Sequence, residues 1–284
     1  MSVESAVVVE GLTKVYGQVR AVDGISFTID YGETFVLLGP NGAGKSVTIE
    51  ILEGFRQRTS GDVRVLSQDP QKADRAFKAR IGVVLQQHGD LGRLSVRQTL
   101  QYFAALYPNP RDVDELITAV DLTEKADVPI RKLSGGQQHR VDVALGMVGN
   151  PELLFLDEPT TGFDPEVRRS FWEVIRRLQQ EGTTIMLTTH YLDEAEALGD
   201  RAGVILQGKL VAVDAVERIG GADLRTPVVR WVENGQLRSE KTQQPGEFTA
   251  QLVERLGGEP KGLNVRTPTL EDVYLAMLDG RRET

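Results

Sequence analysis

Cysteine is absent from this 284-residue chain, histidine occurs only three times, and no apolar run approaches the ~18–20 residues of a membrane span. Each absence excludes a class. Without thiols there is no disulfide framework and no thiolate metal site, which is compatible with a reducing cytosol. His88, His139 and His190 are too few for a multi-histidine metal centre. Positive charge is in the minority as well: 33 Lys+Arg against 41 Asp+Glu leave a net charge of −8. A dispersed basic surface is therefore not expected, and nucleic acid is not an expected partner, although a local positive pocket is compatible with the balance. Residues Met1 to Glu10 lack the basic start and apolar run of a signal peptide. The expectation is a soluble, cytoplasmic protein that reaches a membrane only through a partner.

What is present is a 40% hydrophobic fraction, enough for a core, and 29 glycines. Average usage of about 7% would give roughly 20 glycines in a chain of this length. Length suggests one large domain with an appendage. Short apolar runs alternate with helical patterns, the mark of an α/β sheet. Thr34–Leu38, Leu153–Leu156 and Thr184–Leu187 read as strands buried on both faces. Val7–Val9 and the alternating Ile25, Phe27 and Ile29 read as half-exposed antiparallel strands flanking them. Val47, Ile51, Leu52 and Phe55 share one helical face after Lys45, and Val141, Leu145 and Val148 share another after Gly136. Asp164–Pro165 reads as an N-cap followed by proline at the first helical position, with Val167, Phe171, Val174 and Leu178 facing inward. Residues from about 90 to 150 form a predominantly helical insertion, interrupted by Pro108–Asn109–Pro110. Its Leu100, Tyr102, Phe103 and Leu106 read as packing residues. Beyond residue 214 the character changes. Asn234–Gly235 signals a hairpin, Phe248, Leu252 and Leu256 a helix, and Thr269-x-x-Asp272 a capping box. The expected organisation is 1–214 and a small α+β accessory domain at 215–284.

Gly39–Pro40–Asn41–Gly42–Ala43–Gly44–Lys45–Ser46 matches the phosphate-binding P-loop in full, with a strand before it and a helix after it. Glycines let backbone N–H groups curl around a phosphate, and the helix start adds its positive end. Lys45 is expected to neutralise β/γ oxygens and the Ser46 hydroxyl to ligate Mg²⁺. Asp157 and Glu158 close the apolar strand Leu153–Leu156, where a P-loop protein carries a Mg²⁺-holding carboxylate and a carboxylate that orients or deprotonates water.

Leu133–Ser134–Gly135–Gly136–Gln137 narrows the class. Together with the P-loop it resembles the signature motif of the ATP-binding cassette (ABC) proteins, and the resemblance extends over about residues 5 to 215. It implies the P-loop ABC ATPase fold: an α/β core with an antiparallel β subdomain and an inserted helical subdomain, to which this chain adds its C-terminal domain. It further implies ATP and Mg²⁺ as ligands. Tyr16 would stack on adenine, and Gln86, with Gln87 beside it as the other register, would touch Mg²⁺ and the attacking water. Ser134, Gly135, Gly136 and Gln137 would face the γ-phosphate held by a second copy of the chain. Asp164 falls in the D-loop, with Phe163 where leucine is commoner, and His190 matches the switch histidine at the γ-phosphate. Val47 departs from the pattern, because the family usually has a threonine there that helps bind the α-phosphate.

Thr267–Tyr274 resembles the C-terminal segment of the drug-resistance, daunorubicin-exporter branch. That branch implies a head-to-tail ATP-sandwich dimer on an ABC-2 type permease at the inner face of the cell membrane, exporting a drug, lipid or other amphipathic cargo. Two rivals are a soluble cassette acting in translation or on DNA, and a nucleotide-switched regulatory module with negligible turnover. Against the first, the chain holds one cassette, and only 88 residues lie between Lys45 and Ser134, too few for a long coiled coil. Glu158 weighs against the second.

Overall fold

The computed structural model describes residues 5–84 and 93–279, and it divides into two compact units, Met1–Asp214 and Ala215–Thr284. The first unit opens with β1 (Ser5–Tyr16) and β2 (Val19–Asp30), which pair antiparallel. The chain then enters the central sheet at β3 (Thr34–Leu38), turns into α1 (Lys45–Leu52), and returns as β4 (Ser60–Val65) to pair with β1. In this three-stranded sheet Val7, Val9, Ile25, Phe27, Ile29, Val63 and Val65 are buried, and polar residues alternate with several of them. That period of two is what a sheet with one covered face requires.

Helix α2 (Arg75–Arg80) leads to β5 (Ile81–Val84). The helical segment follows as α3 (Val96–Ala104), α4 (Val113–Ala119) and α5 (Gly135–Met147). Its helices begin where side chains satisfy free N–H groups: Ser95 and Gln98 form a capping box for α3, and Asp112 accepts from the Asp114 and Glu115 N–H groups at 2.9 Å. The rest of the unit is β6 (Leu153–Asp157), α6 (Pro165–Gln180), β7 (Thr184–Thr189), α7 (Leu192–Leu198), β8 (Arg201–Leu206) and β9 (Lys209–Ala215).

The six strands of the central sheet run in the order β5-β6-β7-β3-β8-β9, and the β5–β6, β6–β7, β7–β3 and β3–β8 pairs are parallel. Strands β3 and β7 are buried throughout, as the continuous apolar runs predict. In register, Asp157 lies opposite Thr188, and Thr189 opposite Leu38. The carboxyl ends of β6, β7 and β3 are therefore level, the place where α/β sheets bind ligands.

Two sequence expectations need correcting. Helix α1 ends at Leu52, so Phe55 does not continue its buried face and is an exposed side chain. In α3, Leu100 is buried, whereas Tyr102 is 63% exposed and Leu106, just past the helix, is 66% exposed. The apolar residues of this segment outnumber the positions on its buried face.

The second unit contains the short α8 (Gly221–Arg225), then β10 (Val228–Glu233), β11 (Gln236–Lys241), α9 (Pro245–Leu256), β12 (Lys261–Arg266) and α10 (Leu270–Asp279). Its antiparallel sheet has the order β11-β10-β12, and Asn234 and Gly235 both take positive φ in the hairpin turn. Val229, Trp231 and Leu252 form a small core with Phe248 packed against it. Thr269 and Asp272 cap α10 reciprocally, with the Thr269 N–H donating to Asp272 Oδ2 at 2.8 Å.

Two buried features generate predictions. A Cβ on Gly82 of β5 would run into the Gly146 carbonyl oxygen, so α5 lies on β5 backbone to backbone. Gly82→Ala should cost roughly 1–3 kcal/mol through overpacking, read as a lower urea midpoint; an unchanged midpoint would refute the close approach. Glu53, which caps the C-terminal end of α1, is only 2% exposed, and neither carboxylate oxygen has a hydrogen-bond partner among the described residues. Burial, reinforced by the charges of Asp157 and Glu50, pushes its pKa up from 4.5 to about 8. Between those values the folded state holds a proton that the unfolded state releases. Stability from this group is complete below pH 4.5 and is lost as pH rises through about 8. Glu53→Gln should stabilise the protein by a few kcal/mol, on the order of what a shift of several pKa units carries, above that range and hardly at all at low pH. Equal urea midpoints for variant and parent at high pH would contradict this.

Candidate active site

The phosphate loop is built from the end of β3 to the start of α1, and its back is held by two other segments. The Gly208 N–H donates to the Ala43 carbonyl at 3.0 Å, and the Asp23 N–H donates to the Gly208 carbonyl at 2.8 Å. Gly44 sits at φ 106° against Ala21, and a Cβ there would run into the Ala21 carbonyl oxygen. The loop thus passes where only a glycine backbone fits, and it leaves its front open. A cavity of about 420 Å³ lies there, lined by Ala21, Asn41, Gly42, Gly44, Lys45, Ser46, Val47, Glu158 and Thr161.

Lys45 is almost fully buried and donates to the Gly39 carbonyl at 2.8 Å and the Pro40 carbonyl at 3.3 Å. Its Nζ also lies 2.9 Å from Glu158 Oε1, a buried ion pair. Glu158 Oε2 accepts from the Thr161 hydroxyl at 3.2 Å and faces His190 Nδ1 at 3.1 Å. Lys45 follows β3, Glu158 follows β6 and His190 follows β7, so adjacency and register of three strands bring them together. Glu158 itself takes φ 47°, a left-handed conformation uncommon outside glycine. Its N–H is held by the Thr188 carbonyl at 3.0 Å and the Thr188 hydroxyl at 3.1 Å, which turns the chain sharply as β6 ends.

The two neighbouring carboxylates are tuned in opposite directions. Burial pushes the Glu158 pKa up, but the hydrogen bond and charge of Lys45, with His190 and Thr161, bring it below the usual 4.5. Glu158 is therefore ionised at neutral pH and able to accept a hydrogen bond or a proton. Asp157 is driven above its usual value by burial, and donors from Thr188 and Ser46 only partly oppose the rise. Asp157 Oδ1 accepts from Ser46 Oγ at 3.3 Å and from the Thr188 hydroxyl.

Of the residues singled out from sequence, Gly39 to Val47, Asp157, Glu158 and His190 meet at this one place. The others do not. Ser134 and Gln137 form a capping box at the start of α5, where Ser134 Oγ accepts from the Gln137 N–H at 3.3 Å. With Gly136, Arg140, Glu166, Val167 and Ser170 they line a separate cavity of about 230 Å³ that shares no residue with the first. Apart from its chain neighbours and its own helix backbone, nothing among the described residues lies within 4 Å of where a Cβ of Gly135 would stand. Asp164 caps α6, accepting from the Val167 N–H at 2.9 Å. Tyr16 ends β1, with Lys14 Nζ 4.8 Å from its ring centre and its hydroxyl bonded to Arg56. Gln86, like Gln87, lies outside the described residues. Thr161 and Thr188 touch the two carboxylates directly but were not singled out from sequence. Their only signal is a hydroxyl at the end of a strand or just past a strand-end acid.

The family described as ABC transporter matches residues 22–161. Over 296 residues the chain is 36% identical to a Nod factor export ATP-binding protein I of Sinorhizobium fredii, covering 96% of this chain and 85% of that protein. It is 33% identical to the daunorubicin resistance ATP-binding protein DrrA3 of Streptomyces coeruleorubidus, covering 98% of both. Among solved structures, cbiO1 of Clostridium perfringens, part of an ABC transporter complex, superposes with a TM-score of 0.68 at 28% identity over 75% of this chain and 89% of that one. A cassette of an ABC transporter in its ADP conformation shares the fold with a TM-score of 0.67 at 23% identity, covering 75% of this chain and 91% of that one. Likeness over nearly the whole length of such relatives settles the family: the chain belongs to the ABC transporter ATP-binding proteins, and it is an ATPase.

Proposed function

We propose that the protein energises export through a separate ABC-2 type membrane permease, using ATP to close two copies of itself and hydrolysis to release them. The observation that carries this reading is the buried Lys45–Glu158 pair with His190 in contact with it, together with a second, separate surface at Ser134–Gln137. The P-loop N–H groups and Lys45 would hold the β- and γ-phosphates. Glu158, ionised and in contact with His190, would orient water and take its proton for in-line attack. His190 and Gln86 would contact the γ-phosphate and that water, and Tyr16 would stack on adenine. One hydroxyl and one carboxylate, Ser46 and Asp157, are too few for a resident metal cage, but their oxygens suit a Mg²⁺ that arrives on phosphates. That ion would neutralise charge on the transferring phosphoryl group.

Ser134, Gly135, Gly136, Gln137 and Asp164 have no place in the Lys45 cavity, which supports their acting on nucleotide held by a second copy. The open space around Gly135 suits such an approach. ATP would then add attraction across a two-fold interface, and loss of the γ-phosphate would weaken it. Export is supported by relatives named for Nod factor export and for daunorubicin resistance. No helix among the described residues is long and apolar enough to cross a membrane, so the pathway itself would belong to a partner. Exposed Tyr102 and Leu106 in the helical segment suit contact with that partner, which would place the protein at the inner membrane face.

Two tests follow. Glu158→Gln should abolish turnover and trap an ATP-bound dimer, seen by size-exclusion chromatography with ATP at micromolar protein; a variant that stays monomeric would sink the sandwich mechanism. Val47 lines the phosphate cavity without offering a hydroxyl. Val47→Thr should tighten ATP binding several-fold, corresponding to one hydrogen bond of about 0.5–1.5 kcal/mol. An unchanged affinity in a titration would show that the hydroxyl finds no phosphate.

A further inference from the structure

Glu194 in α7 is a carboxylic acid with 0% exposure, four residues beyond His190 and outside the P-loop, signature and strand-end motifs. Its Oε1 accepts from the Thr160 hydroxyl at 2.9 Å and from the Trp172 indole N–H at 3.1 Å. Among the described residues, its buried Oε2 has no hydrogen-bond partner. Burial drives its pKa up, and the nearby Thr189 hydroxyl, with Thr160 and Trp172, opposes the rise. A buried acid satisfied on one oxygen is a costly brace, since an apolar side chain of similar volume would serve packing better.

Its neighbours explain the arrangement. Among the described residues, Glu158 Oε2 is held by the Thr161 hydroxyl and faces His190 Nδ1. Each belongs to a residue next in sequence to one of the threonines around Glu194: Thr160 precedes Thr161, and Thr189 precedes His190. Trp172 fixes the third side from α6. Arg168 of the same helix reinforces this corner, pairing with Asp193 at 3.4 Å and lying 4.8 Å from the Tyr191 ring centre.

We propose that Glu194 is a positioning residue for ATP hydrolysis, a buried strut that sets the Thr161 hydroxyl and the His190 imidazole at their places on the Glu158 carboxylate. The inference rests on the reading of Glu158 as the group that orients the attacking water. Because neither Glu194 nor Thr160 lines the phosphate cavity, loss of the strut should affect the chemical step and leave nucleotide binding nearly intact.

Steady-state ATPase kinetics on the full chain test this with four variants. Glu194→Gln keeps a carbonyl acceptor for Thr160 and Trp172 and should hold kcat within about 3-fold of the parent. Glu194→Ala and the near-isosteric Thr160→Val break the strut and should lower kcat about 10- to 100-fold while KM for ATP stays within about 3-fold. Thr160→Val decides the matter if Glu194→Ala fails to fold. The inference is overturned if Thr160→Val keeps the parental kcat, if KM rises as far as kcat falls, or if Glu194→Gln is as damaging as Glu194→Ala. Glu158→Gln run alongside separates the two levels. Parental turnover in that variant removes the reading of Glu158 and the strut with it. Abolished turnover in Glu158→Gln, combined with normal turnover in Thr160→Val, removes the strut alone.

Discussion

The buried ion pair between Lys45 and Glu158 is the constraint around which the first unit is organised. Two charges withdrawn from water are tolerable only when paired and further hydrogen-bonded, and removing one partner of such a pair typically costs about 3–5 kcal/mol. Here Lys45 has the Gly39 and Pro40 carbonyls as extra acceptors, and Glu158 has Thr161 and His190. The pair joins the segments after β3 and β6, which are not sheet neighbours. Strand β7 runs between them and delivers His190 to the same carboxylate. A shift of any of the three strands by one residue would separate these groups, so sheet register and catalytic geometry are a single requirement.

Where apolar runs set burial and glycines set close approach, the chain's pattern was readable in advance. Thr34–Leu38 and Thr184–Leu187 announced strands covered on both faces, and the P-loop announced its own surroundings, because that glycine spacing has few other uses. The Asp164–Pro165 helix start and the Asn234–Gly235 turn were equally plain, since each rests on chemistry local to two or three residues. Local chemistry does not encode strand order, and nothing in the residues told that β7 would stand between β3 and β6.

Side-chain burial at the edges of elements was also hidden. Phe55 continues a helical period on paper, but the helix ends before reaching it, and the exposure of Tyr102 and Leu106 depends on what packs against α3. Thr161, Thr188 and Glu194 escaped notice for another reason. A hydroxyl or a carboxylate has no pattern of its own, and its role depends on partners between 3 and 34 positions away in the chain. The motif residues Ser134 and Gln137 were visible as a motif, but the reciprocal capping box they form became apparent only with α5 in place.

The stitching of the phosphate loop has one more consequence. Ala43 is tied to Gly208, Gly208 to Asp23, and Gly44 is wedged against Ala21, so the loop's backbone is already ordered by folding. The loop itself loses little further conformational freedom when a ligand arrives there, which is the meaning of preorganisation. The loop acts as an anvil: already in place before its ligand arrives, it leaves any rearrangement to side chains such as Glu158 and to whatever approaches the open front.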